Sequence, residues 1–285
     1  MSNIVLSLAN VAARVLPMNV KQAVYRLPWL AQFVRGGLNR AAPKGMTIVN
    51  IAAGDLKGKR FALDLSCEKD YWLGTYEPEL QEGIRKYVKP GMVVYDVGAN
   101  IGYITLLLAQ AVGPTGRVFS FEALPLNLER LTMNVRLNSM QDRVKIEPRA
   151  VSNNSAQVRF FVGPSNGTGK IEGSAGRQTI EYPESILVSG VGLDDFVYRE
   201  EHPMPEVIKM DIEGGEVLAL PGMRQVLIQG RPLVLIELHG PESANAAWKE
   251  FDSAGYDLQY LAPGYPAVHS LSELNWKSYL IASPR

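Results

Sequence analysis

MVVYDVGANIGYITLLLAQAV, residues 92–112, changes character in its middle. Met92 to Val97 is a short apolar run, the pattern of a strand buried on both faces of a sheet. Residues 102–112 continue without a breaker and read as a helix. Between them lies the pattern Asp96-x-Gly98-x-Asn100-x-Gly102. Glycines there permit positive φ and a close approach of backbone to a ligand. The helix that follows offers free backbone N–H groups at its start. A strand, a glycine loop and a helix in this order mark the opening unit of an α/β sheet.

The alternation continues on both sides. Upstream, residues 77–88 predict a helix with Pro78 in its first turn, ended by Lys89-Pro90-Gly91. Residues 46–67 predict short strands around turns at Gly54-Asp55 and Lys57-Gly58. Downstream, RVFSFE (117–122) is a second strand, 124–138 a second helix, and VKIEPRAVS (144–152) carries a third strand that ends before Ala150-Val151-Ser152. AQVRFFVG (156–163) and SILVSG (185–190) predict strands flanking a long polar loop, 163–185. A short helix at 193–199 precedes the strand EVIKMDIEG (206–214). LVLIELHG (233–240), a helix at 242–254 and two strands at 256–262 and about 278–282 complete the chain. The whole predicts a doubly wound α/β fold: a mostly parallel sheet, helices on both faces, and ligands beyond the carboxyl ends of the strands.

Composition narrows the partners. Twenty-nine basic residues balance twenty-nine acidic ones, so net charge offers no nucleic-acid footprint. The single cysteine, Cys67, excludes an internal disulfide and a cysteine-based zinc cluster, and fits a reducing compartment, most simply the cytoplasm. No apolar run reaches the roughly 18–20 residues of a membrane span. Charge is uneven, however: residues 1–54 carry Arg14, Lys21, Arg26, Arg35, Arg40 and Lys44 and no acid. Pro17 and Pro28 cut that stretch into short helical pieces. Residues 1–45 therefore read as a basic amphipathic helical extension: a cap on the main domain, an element lying peripherally on an anionic membrane, or a targeting peptide.

Which ligand the loop holds follows from its acids. A dinucleotide fingerprint needs G-x-G-x-x-G, and Asn100 stands where that pattern is broken. A carboxylate at Asp96 would repel a pyrophosphate and suits an ammonium. Glu122, twenty residues after Gly102, ends the second strand, where an acid accepts hydrogen bonds from both ribose hydroxyls. A ligand with an ammonium, a ribose and a base is S-adenosylmethionine.

YDVGANIGYITLLLA, FSFEALPLNLERLTMNVRLN, VIKMDIEGGEVLALPGM and IELHG together resemble the FkbM family of S-adenosylmethionine-dependent methyltransferases, over roughly residues 75–262. The resemblance implies a class I methyltransferase domain over residues 46–285: a Rossmann-like, seven-stranded sheet with the last strand antiparallel. It implies methyl transfer to a hydroxyl of a sugar, polysaccharide or natural product. Carried over by position, Asp96, Gly98, Asn100 and Gly102 would border the methionine part of the cofactor and Glu122 the ribose. Ala123 would lie at the adenine edge, in place of the family's common proline. Ala150 and Val151 match the place of the adenine, and Glu77 an acid facing the cofactor's amino group.

Transfer from a sulfonium needs the acceptor oxygen in line with the methyl, about 3 Å away, and something to take the hydroxyl proton. Lys209, Asp211 and Glu213 alternate along one strand and just past it; Glu237 and His239 do so on the next. Asp211 is expected beside the methyl, on the cofactor as well as the acceptor, with His239 or Glu237 as base. Lys209 stands with them, or forms an ion pair that makes a buried acid tolerable. Asp211, Glu213, Glu237 and His239 are also a ligand set for a divalent metal, although the metal-independent reading is favoured. The polar loop 163–185 reads either as a disordered surface loop or as a lid over the acceptor, in which case Lys170, Arg177 and Tyr182 would meet a polar acceptor.

Two other functions fit parts of the pattern. A nicotinamide-dependent oxidoreductase is opposed by Asp96 and Asn100. A non-catalytic protein retaining the fold is opposed by the intact set Asp96, Glu122, Asp211, Glu237 and His239. Methylation of nucleic-acid nitrogen lacks both a basic charge and an N/D-P-P-Y/W motif.

Overall fold

The computed structural model describes residues 45–163, 169–176 and 181–285. The expectations for residues 1–45 and for Arg177 fall outside these, apart from Gly45. No helix among the described residues is long and apolar enough to cross a membrane.

The chain divides into two compact units, residues 1–78 and 79–285. The described part of the first holds an antiparallel hairpin, β1 (Met46–Asn50) and β2 (Arg60–Asp64), and a short helix α1 (Lys69–Leu73). Its core is Ile51, Leu56, Phe61 and Leu63, all almost wholly buried. Gly74 is required there: φ is 71°, and a Cβ would lie 1.9 Å from Ala53 O.

The second unit is built on a seven-stranded sheet in the order β12–β13–β11–β10–β3–β4–β5. Its strands are β3 (Val93–Val97), β4 (Arg117–Phe121), β5 (Val144–Glu147), β10 (Val207–Met210), β11 (Leu233–His239), β12 (Tyr256–Tyr260) and β13 (Lys277–Pro284). β10, β3, β4, β5 and β11 run parallel, while β13 runs antiparallel to both its neighbours. This is the reversed last strand that the resemblance implies. Helices α2 (Pro78–Tyr87), α3 (Tyr103–Val112), α4 (Pro125–Leu137), α5 (Glu216–Ala219) and α6 (Pro241–Ser253) connect the strands.

The expected boundaries hold to within a few residues, for physical reasons legible in the chain. α3 has eight buried side chains among its ten residues, so it is a core helix, consistent with its unbroken apolar run. Prolines 125 and 241 start α4 and α6 in the first turn, where a missing backbone N–H costs no intrahelical hydrogen bond. The main core joins Tyr95, Phe119, Phe121 and Phe196 with aliphatic residues of β10, β11 and α6. The aromatic rings meet edge-to-face at centroid distances of 5.0–5.7 Å.

The strand that residues 144–152 carry is β5, in their first half, and the reading of 163–185 changes. The ladder stops at Glu147, and Ala150–Val151 (β6) joins a different sheet, ordered β6–β9–β7–β8. Pro148 has no N–H to donate and lies at the break. The polar loop 163–185 is not all loop. Gly169–Ile171 forms β8, antiparallel to Phe160–Val162 of β7 (Gln157–Val162), which in turn pairs with β9 (Glu184–Val191). Gly169 makes this possible, since a Cβ there would lie 2.3 Å from the Phe160 ring.

Candidate active site

The loop after β3 is held from three sides. Gly98 has φ 80°, and a Cβ on it would lie 2.0 Å from Asp211 O. Glycine is needed there for contact with the end of β10, rather than only for a ligand. Gly102 has φ 94° and packs its Cα against Leu131 of α4. Asn100, at φ 49°, donates its N–H to Glu122 Oε2 at 2.8 Å.

Glu122 is almost fully buried and organises this corner. Its Oε1 accepts the N–H groups of Ala123 at 3.0 Å and Leu124 at 2.8 Å, and the Asn127 side chain also bonds to the carboxyl. Burial pushes the Glu122 carboxyl above the usual carboxylate range, against the pull of these donors. Asn100 Oδ1 and Asn127 Oδ1 are buried without a hydrogen-bond partner among the described residues. Two orphan acceptors flanking a carboxylate on a glycine loop suit a polar ligand with several donors, as an adenosine is. Sequence reasoning missed Asn127; its signal was an Asn in the first turn after the acid.

Asp96 is not open at the mouth of the loop, as expected; it is fully buried. Its Oδ2 accepts the Thr105 hydroxyl at 2.6 Å, and its Oδ1 lies 3.4 Å from Lys209 Nζ. The strand register explains this, because Lys209 of β10 stands opposite Asp96 of β3. Lys209 also donates to Gly98 O at 3.0 Å. Lys209 thus pairs with Asp96 across the ladder, and β10 ends at Met210, before Asp211 and Glu213. Ala123 and Ala150 pack with Ile171 and Val188 beneath the second sheet, while Val151 enters the main core. Glu77 precedes α2 with a left-handed φ of 45° and lies in the first compact unit.

Beyond the loop, Asp211, Glu213, Glu237 and His239 do come together. His239 Nε2 lies 3.8 Å from Asp211 Oδ1, 3.8 Å from Glu213 Oε2 and 3.4 Å from Glu237 Oε1. Three further residues complete the cluster. Glu216, fully buried at the start of α5, holds His239 Nδ1 at 3.3 Å. Ser243, in the first turn of α6, donates to Glu216 Oε2 at 2.8 Å. Lys277 of β13, opposite His239 in the register, pairs with Glu237. The sequence carries Glu216 three residues after Glu213, but only folding turns it toward the imidazole. Burial of the His239 ring works to lower its pKa, yet Glu216, Asp211 and Glu213 outweigh it and hold the ring above its usual value. Burial pushes the Glu213 carboxyl up, partly offset by His239.

The segment around β8 walls this cluster. Ala175 donates its N–H to Gly214 O at 2.9 Å, and Lys170 Nζ donates to Ala175 O at 3.2 Å. Glu213 opposes the effect of burial on the Lys170 ammonium, whose pKa is lowered. Tyr182 packs against Phe161 at a centroid distance of 6.0 Å, and Lys170 Nζ lies 5.4 Å from the centroid of its ring. Gly240 donates to Trp276 O at 2.7 Å, and the Trp276 ring lies against it, 47% exposed.

Comparison with known proteins gives one family. The methyltransferase FkbM domain matches residues 96–258. The hexuronic acid methyltransferase AglP of Haloferax volcanii is 33% identical over 150 residues, 52% of this chain and 56% of that protein. A protein-L-isoaspartate O-methyltransferase of Triticum aestivum is 41% identical over 54 residues, 19% of this chain and 24% of that protein. The chain thus spans about half the length of the first of these relatives and less of the second. The crystal structure of methyltransferase FkbM from Methylobacillus flagellatus superimposes with a TM-score of 0.43 and 18% identity, over 76% of this chain and 53% of that one.

Proposed function

Because the chain belongs to the methyltransferase FkbM family, we propose that it is an S-adenosylmethionine-dependent methyltransferase acting on a hydroxyl of a sugar or related acceptor. The observation that carries this reading is the contact between Gly98 and Asp211. It joins the adenosine-type loop to the carboxylate–imidazole cluster, so donor and acceptor would meet at adjacent strand ends. Glu122 would take the ribose hydroxyls, and Gly98, Asn100 and Gly102 would border the methionine part.

In the reaction, the acceptor oxygen bonds to the methyl carbon as the carbon–sulfur bond breaks and sulfur keeps the electron pair. The hydroxyl proton passes to the cluster of Asp211, Glu213, Glu237 and His239. The products are a methyl ether and S-adenosylhomocysteine. A neutral hydroxyl needs a proton acceptor, and the carboxylates and imidazole of the cluster can supply one.

The sugar-type acceptor rests on two supports. AglP, by its name, acts on a hexuronic acid. Trp276 offers a half-exposed aromatic face beside Gly240, next to His239, on which the apolar face of a sugar ring can lie. Calorimetry with S-adenosylhomocysteine tests the cofactor: no heat at millimolar ligand would sink the reading. A mass-spectrometric screen of hexuronic acids and other hydroxylated acceptors, followed for gain of one methyl, tests the acceptor.

A further inference from the structure

We propose that the ends of β10 and β11 hold a divalent cation, with Asp211, Glu237 and His239 as its protein ligands. It rests on the methyl-transfer reading only for its use, which would be to hold the acceptor oxygen, with Glu213, the cluster carboxylate that is not a ligand, left to take the proton. Binding of the cation stands independently of that use.

The geometry at His239 carries the argument. Glu216 takes the Nδ1 side of the ring at 3.3 Å and is itself fixed by Ser243 and by the N–H groups of Ile212 and Gly214. A carboxylate at Nδ1 makes that nitrogen the donor and leaves the lone pair on Nε2, the arrangement that orients a metal-bound histidine. Nε2 then faces three carboxylate oxygens at 3.4, 3.8 and 3.8 Å. A proton on Nε2 would satisfy none of them well, since N–H···O bonds run at about 2.7–3.2 Å. A cation roughly 2.2 Å from each ligand sets adjacent ligands about 3.1 Å apart and opposite ones about 4.4 Å apart. The observed separations fall between these values, and one ligand atom from each of Asp211, Glu237 and His239 lies within 4.8 Å of the others.

Charge points the same way. Glu216 is 0% exposed and Glu237 2% exposed, with Asp211 and Glu213 beside them. Burying several carboxylates against one imidazole is costly unless positive charge is supplied. Lys277 meets Glu237 Oε1, the atom nearest Nε2, so that ion pair and a cation compete. One imidazole with two carboxylates suits a first-row ion such as Mn2+ better than Ca2+.

The test is titration of the full-length chain with Mn2+, without cofactor or acceptor, following free Mn2+ by electron paramagnetic resonance. A single saturable site is expected, at least about tenfold weaker in Asp211→Asn and Glu237→Gln and tighter in Lys277→Met. Glu216→Gln, which touches no cation directly, should weaken it about tenfold. No saturable site up to about 1 mM Mn2+ in the wild type, or Asp211→Asn titrating like wild type, overturns the proposal. Asp211 is the deciding variant because its carboxylate is the most exposed of the three ligands. S-adenosylhomocysteine calorimetry on the same samples separates the two readings. Cofactor binding without Mn2+ binding rejects the cation alone.

Discussion

Lys209 of β10 stands directly across the parallel ladder from Asp96 of β3, its Nζ 3.4 Å from Oδ1, and both side chains are buried. A charged pair in the middle of an apolar sheet is tolerable because each charge faces the other, while Asp96 also accepts the Thr105 hydroxyl and Lys209 also donates to Gly98 O. Lys209→Met should therefore destabilise the protein by about 3–5 kcal/mol, the cost of leaving a buried charge uncompensated. Asp96→Asn in the same background should recover much of it. Urea unfolding of the singles and the double checks this, and additive losses would show that the pair is not coupled.

Gly98→Ala has two penalties. The left-handed φ of 80° disfavours any Cβ, and that Cβ would lie 2.0 Å from Asp211 O. A loss of at least about 2 kcal/mol is expected, with a larger fall in S-adenosylhomocysteine affinity as the loop moves off β10. Retention of wild-type affinity would mean that the loop does not border the ligand.

Glu122→Gln replaces an anion that accepts three backbone N–H groups by an amide that cannot accept them all. Cofactor affinity should fall by about 1.5–3 kcal/mol, the worth of a hydrogen bond to a charged group. Calorimetry reads it directly.

His239→Ala should lower turnover by at least about 100-fold, the lower range for a proton-transfer group, and leave S-adenosylhomocysteine affinity close to wild type. Equal losses in both would move His239 from the acceptor to the cofactor.

A pH prediction concerns the fold alone. Arg224 hydrogen-bonds Glu250 and holds its carboxyl below the usual glutamate range. A depressed acid contributes stability above the ordinary glutamate pKa and loses it as pH falls through the lower folded value. The stability gap between wild type and Glu250→Gln should therefore close as the solution is acidified below about pH 4. Thermal melts across that range check the sign: a gap that widens would reverse it.

Much of the molecule was legible in the chain. β3, α3, β4, α4, β10 and β11 were readable because buried parallel strands are short apolar runs and the helices between them carry prolines or glycines at their ends. Asp211, Glu237 and His239 were legible as a group because polar residues at the ends of apolar strands are costly unless used. That Ala150–Val151 joins a second sheet was not legible, since a two-residue strand has no periodicity to detect. β8 was hidden because a three-residue edge strand within a glycine- and serine-rich segment has no periodicity to detect.

The sequence by itself determined the order of strands and helices, the glycine loop and the acids available to it, because period, breakers and residue type are local properties. The tertiary structure alone decided which partner each acid takes. Asp96 turned inward to Lys209 because the β3–β10 register sets them opposite. Glu216 reached His239 because α5 begins where β11 ends in space and not in sequence. Buried charges choose partners by distance through the fold, and no spacing along a chain encodes that distance.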